Sequence, residues 1–247
     1  MNINELIERE GVSIITIANS GYLDFTRNCI RSLENLGIFN LLKVYCVDEN
    51  CYEELGSEYK NIKLLEHDFD EGISELSKYP KGDRQTTSVF KNIMFMKFPA
   101  ITDALKNSKY VLFADSDIVF QNDNFLSHLL DALSDKDILF QTDSDGELED
   151  MPCAGLMFMR NTESIRKFFN SNTALEDENW DTYVSDQDYV RENKDKLDYD
   201  YMSIGQFPNG RYFREHKEEI NPHVVHYNWC KPNQKLKIMR RTGGWFI

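Results

Sequence analysis

The sequence predicts an α/β fold on a largely parallel sheet, and three observations carry that reading. Short continuous apolar runs, the mark of strands buried on both faces, alternate with stretches of helical periodicity. The first two runs flank a single helical stretch and so make a βαβ unit. A later run, Tyr110 to Ala114, ends in Asp115-Ser116-Asp117 before a second apolar stretch, Ile118 to Phe120. Ligands of open α/β sheets bind at the carboxyl ends of strands. Two carboxylates there are too costly to bury without a partner. The pair therefore points to a hard cation and, through it, to a phosphate. An acidic turn after a strand is the plain alternative.

The elements follow in order. Residues 12–18 are β-branched and uninterrupted, which suits a first buried strand. Asn19-Ser20-Gly21 is a turn, and Phe25, Cys29, Leu33 and Leu36 then recur at helical spacing up to Gly37, a natural stop. Residues 42–47 form a second strand ending at Asp48, and residues 61–65 a short third. Residues 68–87 are polar with Gly72, Pro80 and Gly82; they read as a long loop, expected to order over a ligand as a lid. Phe90, Ile93, Met94, Lys97, Ile101 and Leu105 suggest one helix in spite of Pro99. After the Asp-Ser-Asp strand come a helix through Leu126, Leu129, Leu130 and Leu133, a strand over 137–141 and another over 156–159. Residues 162–170 and 186–194 read as helices, and from Asp198 the chain is rich in Tyr, Gly and Pro. No repeat, low-complexity stretch or linker interrupts the 247 residues, so one domain is expected over 1–247.

A chain of this length buries enough surface to fold without a disulfide or metal staple. The formal charge of −14 argues against nucleic acid as a partner. That charge is uneven. The last 28 residues carry +5, from Lys231, Lys235, Lys237, Arg240 and Arg241, and the first 219 carry −19. An acidic protein that binds an anion needs local positive charge, which a cation and this tail would supply; a solvated basic tail is the alternative. The five cysteines have no zinc spacing, and their odd number, with no signal peptide, leads to the expectation of a soluble cytoplasmic chain without a membrane span.

Three chemistries compete for the carboxylate pair. Asp115-Ser116-Asp117-Ile118-Val119 fits the nucleophile pattern of haloacid-dehalogenase-type phosphohydrolases, but that pattern normally opens a chain, and no late Asp-Asp doublet exists to complete a magnesium site. Asp143-Ser144-Asp145-Gly146 looks like the middle of an EF-hand, yet the loop would begin at Gln141 and end at Pro152, where acidic ligands are required. The third is transfer of a sugar from a nucleotide donor.

For that third reading the sequence supplies an ordered set. Asn19-Ser20-Gly21-Tyr22-Leu23, Asn28, Ser32-Leu33 and Asp48 are followed by Lys97, Asp115-Ser116-Asp117, Gly155 and Arg160. Asp186-Gln187, Phe207-Pro208-Asn209-Gly210, His226-Tyr227-Asn228-Trp229, Lys235 and Gly244-Trp245 complete it. Over nearly the whole chain this resembles the nucleotide-diphospho-sugar transferase family, and it is distantly similar to the glycogenin-like transferases. The resemblance implies a GT-A type fold with a mixed, mostly parallel sheet flanked by helices. It implies a nucleotide-binding half over about 1–120 and an acceptor half with the basic tail over about 121–247. The implied reaction is transfer from a nucleoside-diphosphate sugar, UDP-sugar first, to a hydroxyl of a carbohydrate or glycan acceptor. A sugar-binding protein without turnover is the reading from another class.

The resemblance also implies residue roles. Asp115, Asp117 and His226 would hold Mn²⁺ or Mg²⁺, with an imidazole favouring manganese over calcium. Ala18, Asn19, Gly21, Asp48 and Ser116 match positions that meet the base and ribose, and Lys97 a contact to the donor's sugar or phosphate. Lys235 or Lys231 would reach the diphosphate. Asp186 with Gln187 matches the catalytic position, with Asp188 and Asp150 as alternatives. His67, His128, His216 and His223 read as ordinary core or surface imidazoles. Two departures stand out. Cys153 precedes Ala154-Gly155 where the family carries Asn, and Arg191 occupies the place of a second expected Asn.

Overall fold

The computed structural model describes residues 2–66, 88–144, 150–230 and 232–247. The expected lid over 68–87 and the candidate Lys231 lie outside the described residues.

The first half builds the parallel part of the sheet. Helix α1 (Ile3–Glu10) leads into β1 (Val12–Ala18), α2 (Leu23–Asn35), β2 (Leu42–Cys46), α3 (Glu49–Gly56) and β3 (Ile62–Leu64). Helices α4 (Ser88–Phe95) and α5 (Lys97–Leu105) precede β4 (Tyr110–Ala114) and β5 (Ile118–Phe120). The second half runs α6 (Phe125–Leu133), β6 (Ile138–Thr142), β7 (Pro152–Arg160), α7 (Glu163–Phe168), α8 (Ser171–Leu175) and α9 (Asp186–Asn193). It ends with β8 (Tyr199–Tyr201), α10 (Gly210–His216), β9 (Val224–His226) and α11 (Pro232–Arg241).

The main sheet has seven strands in the order β3-β2-β1-β4-β7-β6-β8. Strands β3, β2, β1 and β4 are mutually parallel, β7 is antiparallel to both β4 and β6, and β8 is parallel to β6. Strands β5 and β9 pair antiparallel as a small second sheet. The sheet is thus mixed and mostly parallel, as expected. Alternation along each strand feeds two cores. Ile15, Ile17, Phe113 and Met157 face α5 and α9 through Phe98, Ile101, Tyr189 and Val190. Ile14, Leu112 and Phe158 face α2 and α6 through Cys29, Leu33, Leu126 and Leu129. Burying each such side chain contributes about 1.5–3 kcal/mol.

Several local expectations are corrected. The single helix over 90–105 is two, because the chain breaks at Met96; Pro99 then falls in the first turn of α5, where a missing N–H costs nothing. The strand expected over 156–159 begins at Pro152, because its neighbour β6 shifts register between Phe140 and Gln141 and pairs Gln141 with Cys153. Helix α3 was not anticipated: Asp48 is its N-cap, accepting from Cys51 N at 2.9 Å. Helices α1, α8, α10 and α11 were also unforeseen, being short or polar. Among the described residues no helix is long and apolar enough to cross a membrane.

Chain order places the site. β1 leads to β2 on one side while β4 lies on the other, so the sheet has a switch point between the carboxyl ends of β1 and β4. Ala18 and Asp115 sit at those two ends.

Six residues after Lys97 on α5, Asp103 accepts from Lys43 (3.0 Å), Lys63 (2.9 Å) and Tyr45 Oη (2.8 Å), tying the helix to β2 and β3. Burial opposes the Asp103 carboxylate, but these donors outweigh it and hold the carboxyl well below its usual range. A depressed folded pKa adds stability that is complete above the unfolded value near pH 4 and is lost as pH falls through the folded one. Asp103→Asn should therefore cost about 1 kcal/mol at pH 7 and progressively less below pH 4. Urea denaturation across pH 2–7 measures this; a penalty that stays constant with pH would contradict it.

Candidate active site

At the switch point opens a cavity of about 920 Å³. Its lining draws on both halves of the chain: Ala18, Asn19 and Tyr22 after β1, Lys97 of α5, Asp115, Ser116 and Asp117 after β4, then Asp186 and Gln187 of α9, and His226 and Lys235.

Asp115, Asp117 and His226 converge on one point, with one ligand atom from each lying within 4.8 Å of the others. Residue 226 reaches Asp117 through strand pairing: β9 lies against β5, and Tyr227 N donates to Asp117 O at 3.2 Å. Each carboxylate is divided. Asp115 Oδ1 is 3.0 Å from Lys97 Nζ, while its Oδ2 faces His226 Nε2 at 3.8 Å. Asp117 Oδ2 pairs with Lys235, while its Oδ1 faces His226 Nε2 at 3.3 Å. One oxygen of each acid is held by a lysine and the other is presented to the shared point.

The imidazole is oriented from behind. His226 Nδ1 lies 2.8 Å from Gln141 Oε1. The Gln141 amide cannot turn over, because its Nε2 donates to Phe207 O and Pro208 O, both at 3.0 Å. Nδ1 must therefore carry the hydrogen, which leaves Nε2 toward the carboxylates as a ligand. Burial disfavours the imidazolium, but Asp117 outweighs it and pushes the His226 pKa up to about 10. A divalent cation would take the place of that proton. Asp117 is held well below the usual carboxylate range: burial opposes ionisation, and Lys235 and His226 override it.

The cradle itself is kept open by Gly155. A methyl group there would overlap His226 Cε1 and approach Asp115 Oδ2 to 2.6 Å. The chemistry of the donor set, two carboxylate oxygens and one imidazole nitrogen, fits a borderline divalent cation.

Lys97 is buried, and its ammonium joins Asp115 to Asp186, 2.9 Å away. It is thus committed to two carboxylates and to Ala154 O at 3.2 Å. Burial pushes the Asp186 carboxyl up, against the opposing pull of Lys97. Gln187 spends both ends of its amide on β7, accepting from Ala154 N at 2.7 Å and donating to Pro152 O. Asp188 lines the cavity too, but its carboxylate caps α9 by accepting from Ser185 N at 3.0 Å. Asp150 is drawn to Tyr199, Tyr201 and Lys194, and it is not among the lining residues.

On the β1 side Asn19 is buried, lines the cavity and leaves Nδ2 without a partner among the described residues. Gly21 and Asp48 do not line it. Gly21 is on the exposed turn, and Asp48 is occupied by Cys51 N, Ser20 N (2.9 Å) and Ser20 Oγ. Lys235 sits between aromatic faces, 5.6 Å from the Tyr22 ring and 5.8 Å from that of Phe25.

Sequence reasoning missed Gln141, whose only signal is a polar residue closing an apolar strand, and it missed what Asp143 gathers. Asp143 accepts from Arg191 at 2.7 Å and from Trp229 Nε1 at 2.7 Å. Both partners line the same cavity.

A profile of the nucleotide-diphospho-sugar transferases matches residues 39–240. The chain is 24% identical to a UDP-galactose:fucoside alpha-3-galactosyltransferase of Dictyostelium discoideum, over 97% of its own length but 44% of that protein's. Among solved structures it resembles the galactosyltransferase LgtC in complex with donor and acceptor sugar analogs (TM-score 0.60, 14% identity, 95% of this chain and 96% of that one). It also resembles a glycosyltransferase involved in glycosylation of the major capsid of PBCV-1 (TM-score 0.56, 15% identity, 94% and 98%). At these identities the structural likeness speaks for the fold.

Two substitutions test the geometry. Lys97→Met would leave two carboxylates without their shared cation and should destabilise by about 3–5 kcal/mol. Gly155→Ala should cost about 1–3 kcal/mol through overpacking against His226. Urea denaturation measures both; wild-type stability in either variant would contradict the arrangement.

Proposed function

The chain belongs to the nucleotide-diphospho-sugar transferase family; from that premise we propose that it is a glycosyltransferase whose donor is a UDP-sugar bound through Mn²⁺ at Asp115, Asp117 and His226. The observation that carries the proposal is the convergence of two divided carboxylates and one oriented imidazole on a single point. The family reading also decides against the phosphohydrolase alternative.

When bound, the cation supplies Lewis acidity to a departing diphosphate. This chain's own groups do the rest. Asn19 Nδ2 offers a free donor to the base or ribose at the end of β1, and Ser116 is part of the same lining. Lys235 holds Asp117 in place and sets a second positive charge in the cavity, where charge building on the leaving phosphate is stabilised by a preset cation. Lys97 acts as a positioning residue, fixing Asp115 and Asp186 relative to each other rather than reaching the donor. Asp186 and Gln187 form the catalytic wall: Asp186 supplies the carboxylate facing the sugar, and Gln187 braces it against β7. The half at about 1–120 then carries the nucleotide, and the half at about 121–247 carries the acceptor side while lending His226 and Lys235 to the diphosphate.

The Dictyostelium relative is named for UDP-galactose and a fucoside, which makes these the first donor and acceptor to try. Among six UDP-sugars, at least one is expected to release UDP in a Mn²⁺-dependent manner, which also separates an enzyme from a sugar-binding protein. By calorimetry UDP should bind at least tenfold more tightly with Mn²⁺ than without it. Asp117→Ala should erase that difference. Equal UDP affinity with and without Mn²⁺ in the wild type would overturn the metal assignment. A Mn²⁺ effect that survives in Asp117→Ala would overturn the ligand set.

A further inference from the structure

Two of the large hydrophobic side chains left exposed, Trp229 (48%) and Val184 (40%), line the cavity. Trp229 has φ 55°, a left-handed conformation that is rare and strained for a bulky aromatic. The strain is held from three directions. Its Nε1–H donates to Asp143 Oδ1 at 2.7 Å, its carbonyl accepts from Arg214 Nη2 at 3.1 Å, and the preceding Asn228 accepts from Gly210 N at 2.7 Å. The indole is thus held in place and half exposed, with the Arg211 guanidinium 6.0 Å from its ring centroid. A rigid aromatic loses little conformational entropy on binding. Arg191, which replaces an Asn of the family pattern, is recruited to the same Asp143.

We infer that Trp229 is the stacking platform of an acceptor subsite, on which a pyranose lays an apolar C–H face while its hydroxyls meet the Asp143–Arg191 pair. The inference rests on the transferase reading and adds to it the acceptor class and the residue that selects it. A sugar ring is amphipathic in the same sense as the site. Its C–H face matches the indole and Val184, and its hydroxyls match a carboxylate that accepts and a guanidinium that donates.

The test uses the full chain with Mn²⁺, the six UDP-sugars and the methyl glycosides of galactose, glucose, mannose, fucose and xylose. Trp229→Phe keeps an aromatic face and Trp229→Leu removes it. For the pyranoside that the wild type glycosylates, Trp229→Leu should raise the acceptor KM at least tenfold. Trp229→Phe should stay within threefold, and the donor KM should move less than the acceptor KM in both. Saturation-transfer NMR of that pyranoside should show its strongest signals on the protons of one ring face, and these should weaken in Trp229→Leu. Equal acceptor KM values in Trp229→Phe and Trp229→Leu would overturn the subsite, as would donor hydrolysis with no transfer to any pyranoside. If no UDP-sugar yields UDP, the transferase reading itself fails, and the subsite with it.

Discussion

The division of two carboxylates organises this site. Asp115 and Asp117 each give one oxygen to a buried lysine and one to a shared point opposite His226. Neither acid is affordable alone at the end of a buried strand. The lysines make burial tolerable without filling the point itself, and three acids (Asp115, Asp117 and Asp186) stand against two ammoniums (Lys97 and Lys235), with the proton on His226 supplying the third positive charge. A divalent cation at the shared point would take the place of that proton.

The fold exists in a form that makes this meeting possible. β4 carries Asp115 to the switch point, and the small sheet of β5 and β9 brings His226 back across from the far end of the chain. The register shift of β6 against β7 sets Gln141 behind the imidazole and opens β7 at Gly155, where any side chain would collide with His226 and Asp115. Helix α11 delivers Lys235, and the strap beyond it is fastened by Asn28, which bonds Gly244 O at 2.9 Å and Phe246 N at 2.7 Å.

Much of this was legible in the residues. Continuous apolar runs located β1, β2 and β4, and an acidic pair after one of them marked the ligand end of the sheet. His226 could be named only because its neighbours resembled a family, since nothing in local spacing links it to residue 115. What stayed hidden has physical causes. Asp48 and Asp188 look like ligand-binding acids in sequence, yet both are helix caps, a role that depends on where a helix begins. Lys97 reads in sequence as a contact to the donor's sugar or phosphate, and only the tertiary arrangement reveals the two carboxylates that it joins. Gln141 and Arg191 act through partners 85 and 48 residues away, beyond any periodicity.

We propose that the shared point is a cation site. Crystals of the chain grown with MnCl2 and UDP, with anomalous diffraction recorded at the manganese edge, test it most directly. The expected result is a single strong peak bonded to Asp115 Oδ2, Asp117 Oδ1 and His226 Nε2, with density for the diphosphate beside it. A peak elsewhere, or UDP seated in the cavity with no manganese at these three atoms, would contradict it.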